Sequence, residues 1–169
     1  ALKRYTKFIK TLPNEKDLLA SCSDDFTIML WSPSVTSKPI NRMTGHQQAV
    51  NHICFSPNGH LLASASFDKS IKLWNALSST PGSFLTTLRG HVGAVYQVCF
   101  SSDSRKCISA SRDSTCKVWD IEVTLSTKTH KLIGDLSGHA DEVYCVDWAC
   151  DGSGCVSGGK DKTLKIWKH

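Results

Sequence analysis

Serine, histidine and aspartate recur together three times in this chain at fixed offsets: His46, Ser64 and Asp68; His91, Ser109 and Asp113; His139, Ser157 and Asp161. Those residue types carry nucleophilic catalysis when a carboxylate orients an imidazole that takes a proton from a hydroxyl. A catalytic site, however, occurs once and opens to a cleft. Here the trio returns at the same place in each unit, and each time a tryptophan stands six residues beyond the aspartate, at Trp74, Trp119 and Trp167. A group repeated in this way reads as framework. The aspartate can accept from turn amides and the imidazole, the serine can link to the other ring nitrogen, and the indole N–H supplies a further donor. Buried, satisfied networks are expected, with no catalytic residue and no enzyme activity.

The seven histidines and eight cysteines also raise metal chemistry. Three of the histidines belong to the networks. Cys54 and Cys99 hold equivalent positions just before Phe55 and Phe100, where packing accounts for them. Cys145, Cys150 and Cys155 are evenly spaced but fall on a strand, a turn and the next strand. No CxxC pair is present, which argues against both zinc and a disulfide framework and for reduced thiols. The stretch GGKDKT, Gly158 to Thr163, superficially resembles a phosphate-binding loop. It lies between two strands and lacks the Walker spacing. No metal, cofactor or nucleotide is expected.

The elements that must position these residues follow from the repeat itself. GHQQAVNHICF then LLASASFDKSIKLW is followed by GHVGAVYQVCF then KCISASRDSTCKVW, and by GHADEVYCVDW then GCVSGGKDKTLKIW. A fourth copy, LLASCSDDFTIMLW, opens the chain without a Gly-His partner and offers Ser21, Asp25 and Trp31. Each unit reads as four short strands, such as VNHICF, LLASAS, SIKLW and SFLTTLRG, joined by turns such as SPNG, SSDS and ACDG. The expected organisation is an N-terminal segment 1–17, a partial blade 18–44 that has lost its innermost strand, full blades 45–89 and 90–137, and a blade 138–169 without its outermost strand.

With that pattern over nearly the whole chain, from about Leu18 to Trp167, the sequence resembles the WD40 repeat family. The resemblance implies an all-β propeller of about four blades, a partial ring, each blade a four-stranded antiparallel sheet. It also implies the hydrogen-bonded His, Ser, Asp and Trp network at the positions named above. The family binds partners at the narrow face around the channel mouth. On this sequence that face comprises Asp24, Phe67, Arg112 and Lys160, each just before a network aspartate. It also takes in the residues entering the innermost strands: Ala49 and Asn51, Ala94 and Tyr96, Glu142 and Tyr144. Aromatic and arginine side chains most often carry interface energy, which singles out Phe67, Tyr96, Arg112 and Tyr144.

Several stretches go beyond the generic repeat: the opening ALKRY, then SDDFTIMLWSP, RMTGHQ, SASFDKSIKLW, LRGHVGAVYQV, LSGHADEVYCVDW and SGGKDKTLKIWKH. They resemble the C-terminal half of the propeller in the Notchless family of large-ribosomal-subunit assembly factors. The departures are IEVTLSTKTHKLIGD and NALSSTPGSF, so contacts made by those loops are not carried over. This second resemblance implies a nuclear and nucleolar scaffold that anchors to pre-60S ribosomal proteins and rRNA. It further implies a midasin-type AAA ATPase partner, engaged through a ubiquitin-like domain that lies outside this chain. The alternative is a peptide-binding adaptor or substrate receptor in signalling or ubiquitination.

Composition adds little to this. The formal charge of +5 favours acidic partners such as RNA, but 20 basic against 15 acidic residues make a mixed surface. Arg112 and Lys160 on the binding face lean the same way. No stretch approaches the roughly 18 apolar residues of a membrane span, and a soluble, intracellular protein is expected. An open ring exposes the sides of its end blades. Two copies are therefore expected to self-associate, with Tyr5 to Lys10 of one chain pairing against the edge near Ile166 of the other.

Overall fold

The computed structural model describes residues 6–11, 18–77, 80–122, 124 and 131–168. Among these, fifteen strands form four antiparallel sheets that follow one another along the chain. The first sheet contains β1 (Thr6–Thr11), β2 (Leu19–Ser23), β3 (Ile28–Trp31) and β4 (Asn41–Met43). The second contains β5 (Val50–Phe55), β6 (Leu61–Ser66), β7 (Ser70–Asn75) and β8 (Ser83–Arg89). The third contains β9 (Val95–Phe100), β10 (Lys106–Ser111), β11 (Thr115–Asp120) and β12 (Lys131–Ser137). The fourth contains β13 (Val143–Trp148), β14 (Gly154–Gly159) and β15 (Leu164–Lys168). The architecture is an all-β partial propeller with β1, β5, β9 and β13 as the neighbouring inner strands.

One expectation is corrected here. The first sheet has not lost its innermost strand: Thr6–Thr11 forms β1 and pairs with β2, Ile9 opposite Ser21 and Thr11 opposite Leu19. The Gly-His pair marks the loop entering a blade, and its absence does not prevent TKFIKT from completing the ladder. One edge of that segment is therefore taken by β2 of its own chain. Tyr5 lies outside the described residues.

Consecutive sheets stack through apolar clusters. Ala20, Cys22, Ile28 and Leu30 of the first sheet meet Val50, Ile53, Phe55, Leu62 and Trp74 of the second. Ala63, Ile71, Leu73 and Leu88 of the second meet Val95, Val98, Cys107 and Trp119 of the third. Ile108, Ala110 and Cys116 of the third meet Val143, Val146 and Cys155 of the fourth. A sheet covered on both faces buries every residue of its second strand, and all six residues of β6, LLASAS, are buried, the two serines included. The fourth sheet differs. Leu164 and Ile166 are 78% and 75% exposed, whereas Ile71 and Leu73 at the equivalent positions of the second sheet are fully buried.

Candidate functional site

The three networks share one geometry. His46 Nδ1 lies 2.8 Å from Asp68 Oδ2, and its Nε2 lies 2.7 Å from Ser64 Oγ. The corresponding distances are 2.8 and 2.8 Å for His91 with Asp113 and Ser109, and 2.8 and 2.8 Å for His139 with Asp161 and Ser157. The indole N–H groups of Trp74, Trp119 and Trp167 donate to the same serine oxygens at 2.9, 2.9 and 2.8 Å. Proton directions follow from the partners. A carboxylate only accepts, so Nδ1 carries the proton; in the neutral ring Nε2 accepts from the serine, and the serine oxygen accepts from the indole.

This is the connectivity of a catalytic triad without access. Ser64, Ser109 and Ser157 are 0%, 0% and 1% exposed, and the tryptophan N–H caps the oxygen that would attack. What the arrangement does is tie the β2–β3-type hairpin of each sheet to the loop that enters it. Gln47, Val92 and Ala140 donate their backbone N–H to the same aspartates. Burial alone would raise these carboxyls. Hydrogen bonds from His46 and Ser70, from His91 and Thr115, and from the Ala140 amide and Thr163 outweigh it, holding Asp68, Asp113 and Asp161 well below the usual carboxylate range. In the first sheet Trp31 donates to Ser21 at 3.0 Å, and Asp25 accepts from Thr27. The residue at the histidine's spacing there, Lys3, falls outside the described residues.

Each turn after a network aspartate has a second shared feature. Phe26, Lys69, Ser114 and Lys162, the residues that follow Asp25, Asp68, Asp113 and Asp161, all adopt positive φ, between 63° and 70°. Phe26 is the bulkiest of them and is 45% exposed.

The face residues converge by a separate device. Each inner strand carries a bulge at one place: between Thr6 and Phe8, Val50 and His52, and Val143 and Cys145, with Tyr96 passed over in the third. A bulge leaves one residue unpaired and re-aims its side chain. Asn51, Tyr96 and Tyr144 are those residues. Alongside them, the backbone N–H groups of Phe67, Arg112 and Lys160 donate to the carbonyls of Ala49, Ala94 and Glu142 at 3.0, 2.9 and 2.8 Å. The residue before each aspartate is thereby held beside the entry to the inner strand.

The result is a ridge across the second, third and fourth sheets. Phe67 packs edge-on against Tyr96 with centroids 6.0 Å apart, and Tyr96 lies 5.5 Å from Tyr144. Asn51 donates to Val95 O at 2.9 Å. The Tyr96 phenol donates to Glu142 Oε2 at 2.9 Å, and Arg112 Nε lies 3.4 Å from Glu142 Oε1. Lys160 Nζ lies 3.4 Å from Asp141 and 4.0 Å from Glu142. Burial and the bond to Glu142 push the Tyr96 phenol up to about 12. Asp24 stands in the equivalent turn of the first sheet and is exposed. Arg112 and Lys160 are not an unopposed basic patch: two carboxylates face them, which removes the lean toward RNA drawn from their charge. Asp141 was missed in the sequence because its pairing with Lys160 crosses between two loops.

Elsewhere, a groove of about 320 Å³ between the third and fourth sheets is lined by Val118, Leu136, Trp148, Cys155 and Trp167. Burial raises the Cys155 thiol, which opposes a nucleophilic role there. Cys54 and Cys99 pack in the apolar cluster between the second and third sheets.

Repeated blades, three of them with a buried His-Ser-Asp-Trp network and an inner strand bulged toward a common ridge, define a WD-repeat propeller. The WD40 family model, WD domain, G-beta repeat, matches residues 3–32, 37–75, 82–120 and 130–168, and the chain belongs to that family. It is similar to the Notchless protein homolog of Arabidopsis thaliana, 55% identical over 89 residues, which are 53% of this chain and 18% of that protein. It is also similar to ribosome assembly protein 4 of Saccharomyces cerevisiae, 51% identical over 87 residues, 52% of this chain and 16% of that protein. Nuclear distribution protein PAC1 of Fusarium vanettenii is 39% identical over 100 residues, 52% of this chain and 22% of that protein. The matched stretches are thus well under two thirds of these relatives' lengths.

Proposed function

We propose that this chain is part of a non-enzymatic WD40 scaffold serving assembly of the large ribosomal subunit, acting in the nucleus and nucleolus. The observation that carries the non-enzymatic half is the capped serine. The recurring Ser-His-Asp groups among the described residues are consumed by the framework, and the exposed groups at the repeated positions are suited to contact rather than to bond making. The ribosomal half rests on the likeness to the Notchless homolog and to ribosome assembly protein 4, which stands above the likeness to the nuclear distribution protein in identity.

In this reading the ridge faces pre-60S proteins or rRNA and anchors the factor to its particle, and a midasin-type ATPase acts on a separate domain. Crosslinking of the full-length protein in cells, followed by sequencing of bound RNA and mass spectrometry of bound proteins, tests it. Enrichment of 60S precursors is expected. A set of signalling partners with no ribosomal precursor would overturn the reading in favour of a peptide-binding adaptor.

A further inference from the structure

We infer that the ridge formed by Phe67, Tyr96, Tyr144, Arg112 and Lys160 takes a protein segment carrying a carboxylate side chain next to an apolar one. The inference rests on the scaffold reading above and specifies the chemistry of its contact. Hydrogen-bonding capacity on the ridge is unequal. The acceptors are the less open: Glu142, its side chain 18% exposed, receives Tyr96 on one oxygen and faces Arg112 and Lys160 with the other, while Asp141, 43% exposed, receives the Glu142 N–H and faces Lys160. The donors are more open. Arg112 has five N–H groups and meets Glu142 through Nε at 3.4 Å with its side chain 64% exposed, and Lys160 is 51% exposed with both of its contacts at 3.4 Å or longer.

A ligand therefore meets donors that are more open than the acceptors, which favours a carboxylate. The rings beside those donors select what accompanies it. Tyr144 is 47% and Phe67 36% exposed, and the pair flank Tyr96 in one row, an apolar strip that a neighbouring aliphatic or aromatic side chain covers. Nucleic acid fits less well. A phosphate chain needs several unopposed cations, and here two cations face two carboxylates. The bulges make the strip rigid, because Asn51 and Tyr96 are each tied to the following sheet.

A random dodecapeptide library displayed on phage, panned on the whole chain, tests this. Enriched sequences are expected to place Asp or Glu beside Leu, Ile, Val or an aromatic residue. Recovery of those phage should fall about tenfold on the R112A/K160A double variant and several-fold on Y144A, all three side chains being exposed enough for the variants to keep the wild-type melting temperature. Glu142→Gln supplies the opposite sign: removing the internal carboxylate frees both cations, so recovery of acidic sequences should rise. Enrichment of basic sequences, recovery unchanged on the double variant, no rise on Glu142→Gln, or displacement of the phage by oligouridylate would overturn the inference. Failure of the full-length protein to enrich 60S precursors would instead overturn the ribosomal assignment and leave the peptide result standing.

Discussion

Tyr96 and Glu142 sit on adjacent sheets, and the phenol of the first donates to the carboxylate of the second at 2.9 Å. The bond spans a blade boundary, so its loss weakens the joint between the third and fourth sheets rather than either sheet alone. Tyr96→Phe is expected to cost about 1 kcal/mol, the typical net value for one hydrogen bond at a partly exposed site. The bond also has a pH signature. The folded phenol titrates near 12 and the unfolded one near 10.0. The unfolded chain loses its proton first, so this contribution is complete below about pH 10 and declines as pH rises toward 12. Melting temperatures taken through that range should fall for the wild-type chain and fall less for Tyr96→Phe. Equal slopes would mean the bond does not persist in solution.

The networks govern the acid side. His91→Ala leaves Asp113 and Ser109 buried without their ring partner and is expected to lower stability by roughly 1–3 kcal/mol, read from denaturant unfolding. For the aspartates the sign is reversed from that of Tyr96. Asp68, Asp113 and Asp161 are held below the ordinary carboxylate value in the folded chain, so the unfolded chain takes up protons first as pH falls. Their contribution is complete above about pH 5 and is lost progressively below it. Asp113→Asn should flatten that acid limb as well as lower the plateau. A limb identical to wild type would remove the aspartate from the account.

Much of this was legible in the sequence because the networks are written at fixed spacing. The offset from His46 to Ser64, Asp68 and Trp74 recurs in two further units, and the strands lie where VNHICF, LLASAS and SIKLW place them. The placement of Phe67, Arg112 and Lys160 beside the aspartates was readable from the repeat, although the bulges that aim Asn51, Tyr96 and Tyr144 were not, since a bulge is a property of paired strands. The charge balance of the ridge was hidden for the same reason. Arg112 is thirty residues from Glu142 in sequence, and only the stacking of the third sheet on the fourth sets them 3.4 Å apart. The pairing of β1 within the first sheet was not read, because the turn signature that announces the other inner strands is missing from it.

Phe26 holds a φ of 70°. An L-residue in the left-handed region pays for the approach of its Cβ to the backbone, roughly 1 kcal/mol, and a bulky side chain has no local hydrogen bond to offset it. Asparagine tolerates this region better. Phe26→Asn is therefore expected to raise stability by about 0.5–1 kcal/mol in thermal or denaturant melts. Should the substitution destabilise the chain, the ring must be making a contact that outweighs the strain.

Leu164 and Ile166 occupy the places on β15 that Ile71 and Leu73 occupy on β7, and the two pairs differ only in what lies over them. Ile71 and Leu73 are covered by the third sheet, so a charge at either position would be buried without a partner. Leu73→Glu should cost several kcal/mol and abolish cooperative unfolding. Leu164→Glu and Ile166→Glu place the same charge in solvent and should change the stability of the isolated chain by no more than about 0.5 kcal/mol, while reducing self-association through an apolar surface. Sedimentation velocity and thermal melts of the three variants separate the two cases. A large loss of stability for Leu164→Glu or Ile166→Glu would show that this face is covered in solution, by a second copy or by another part of the structure, and its concentration dependence would say which.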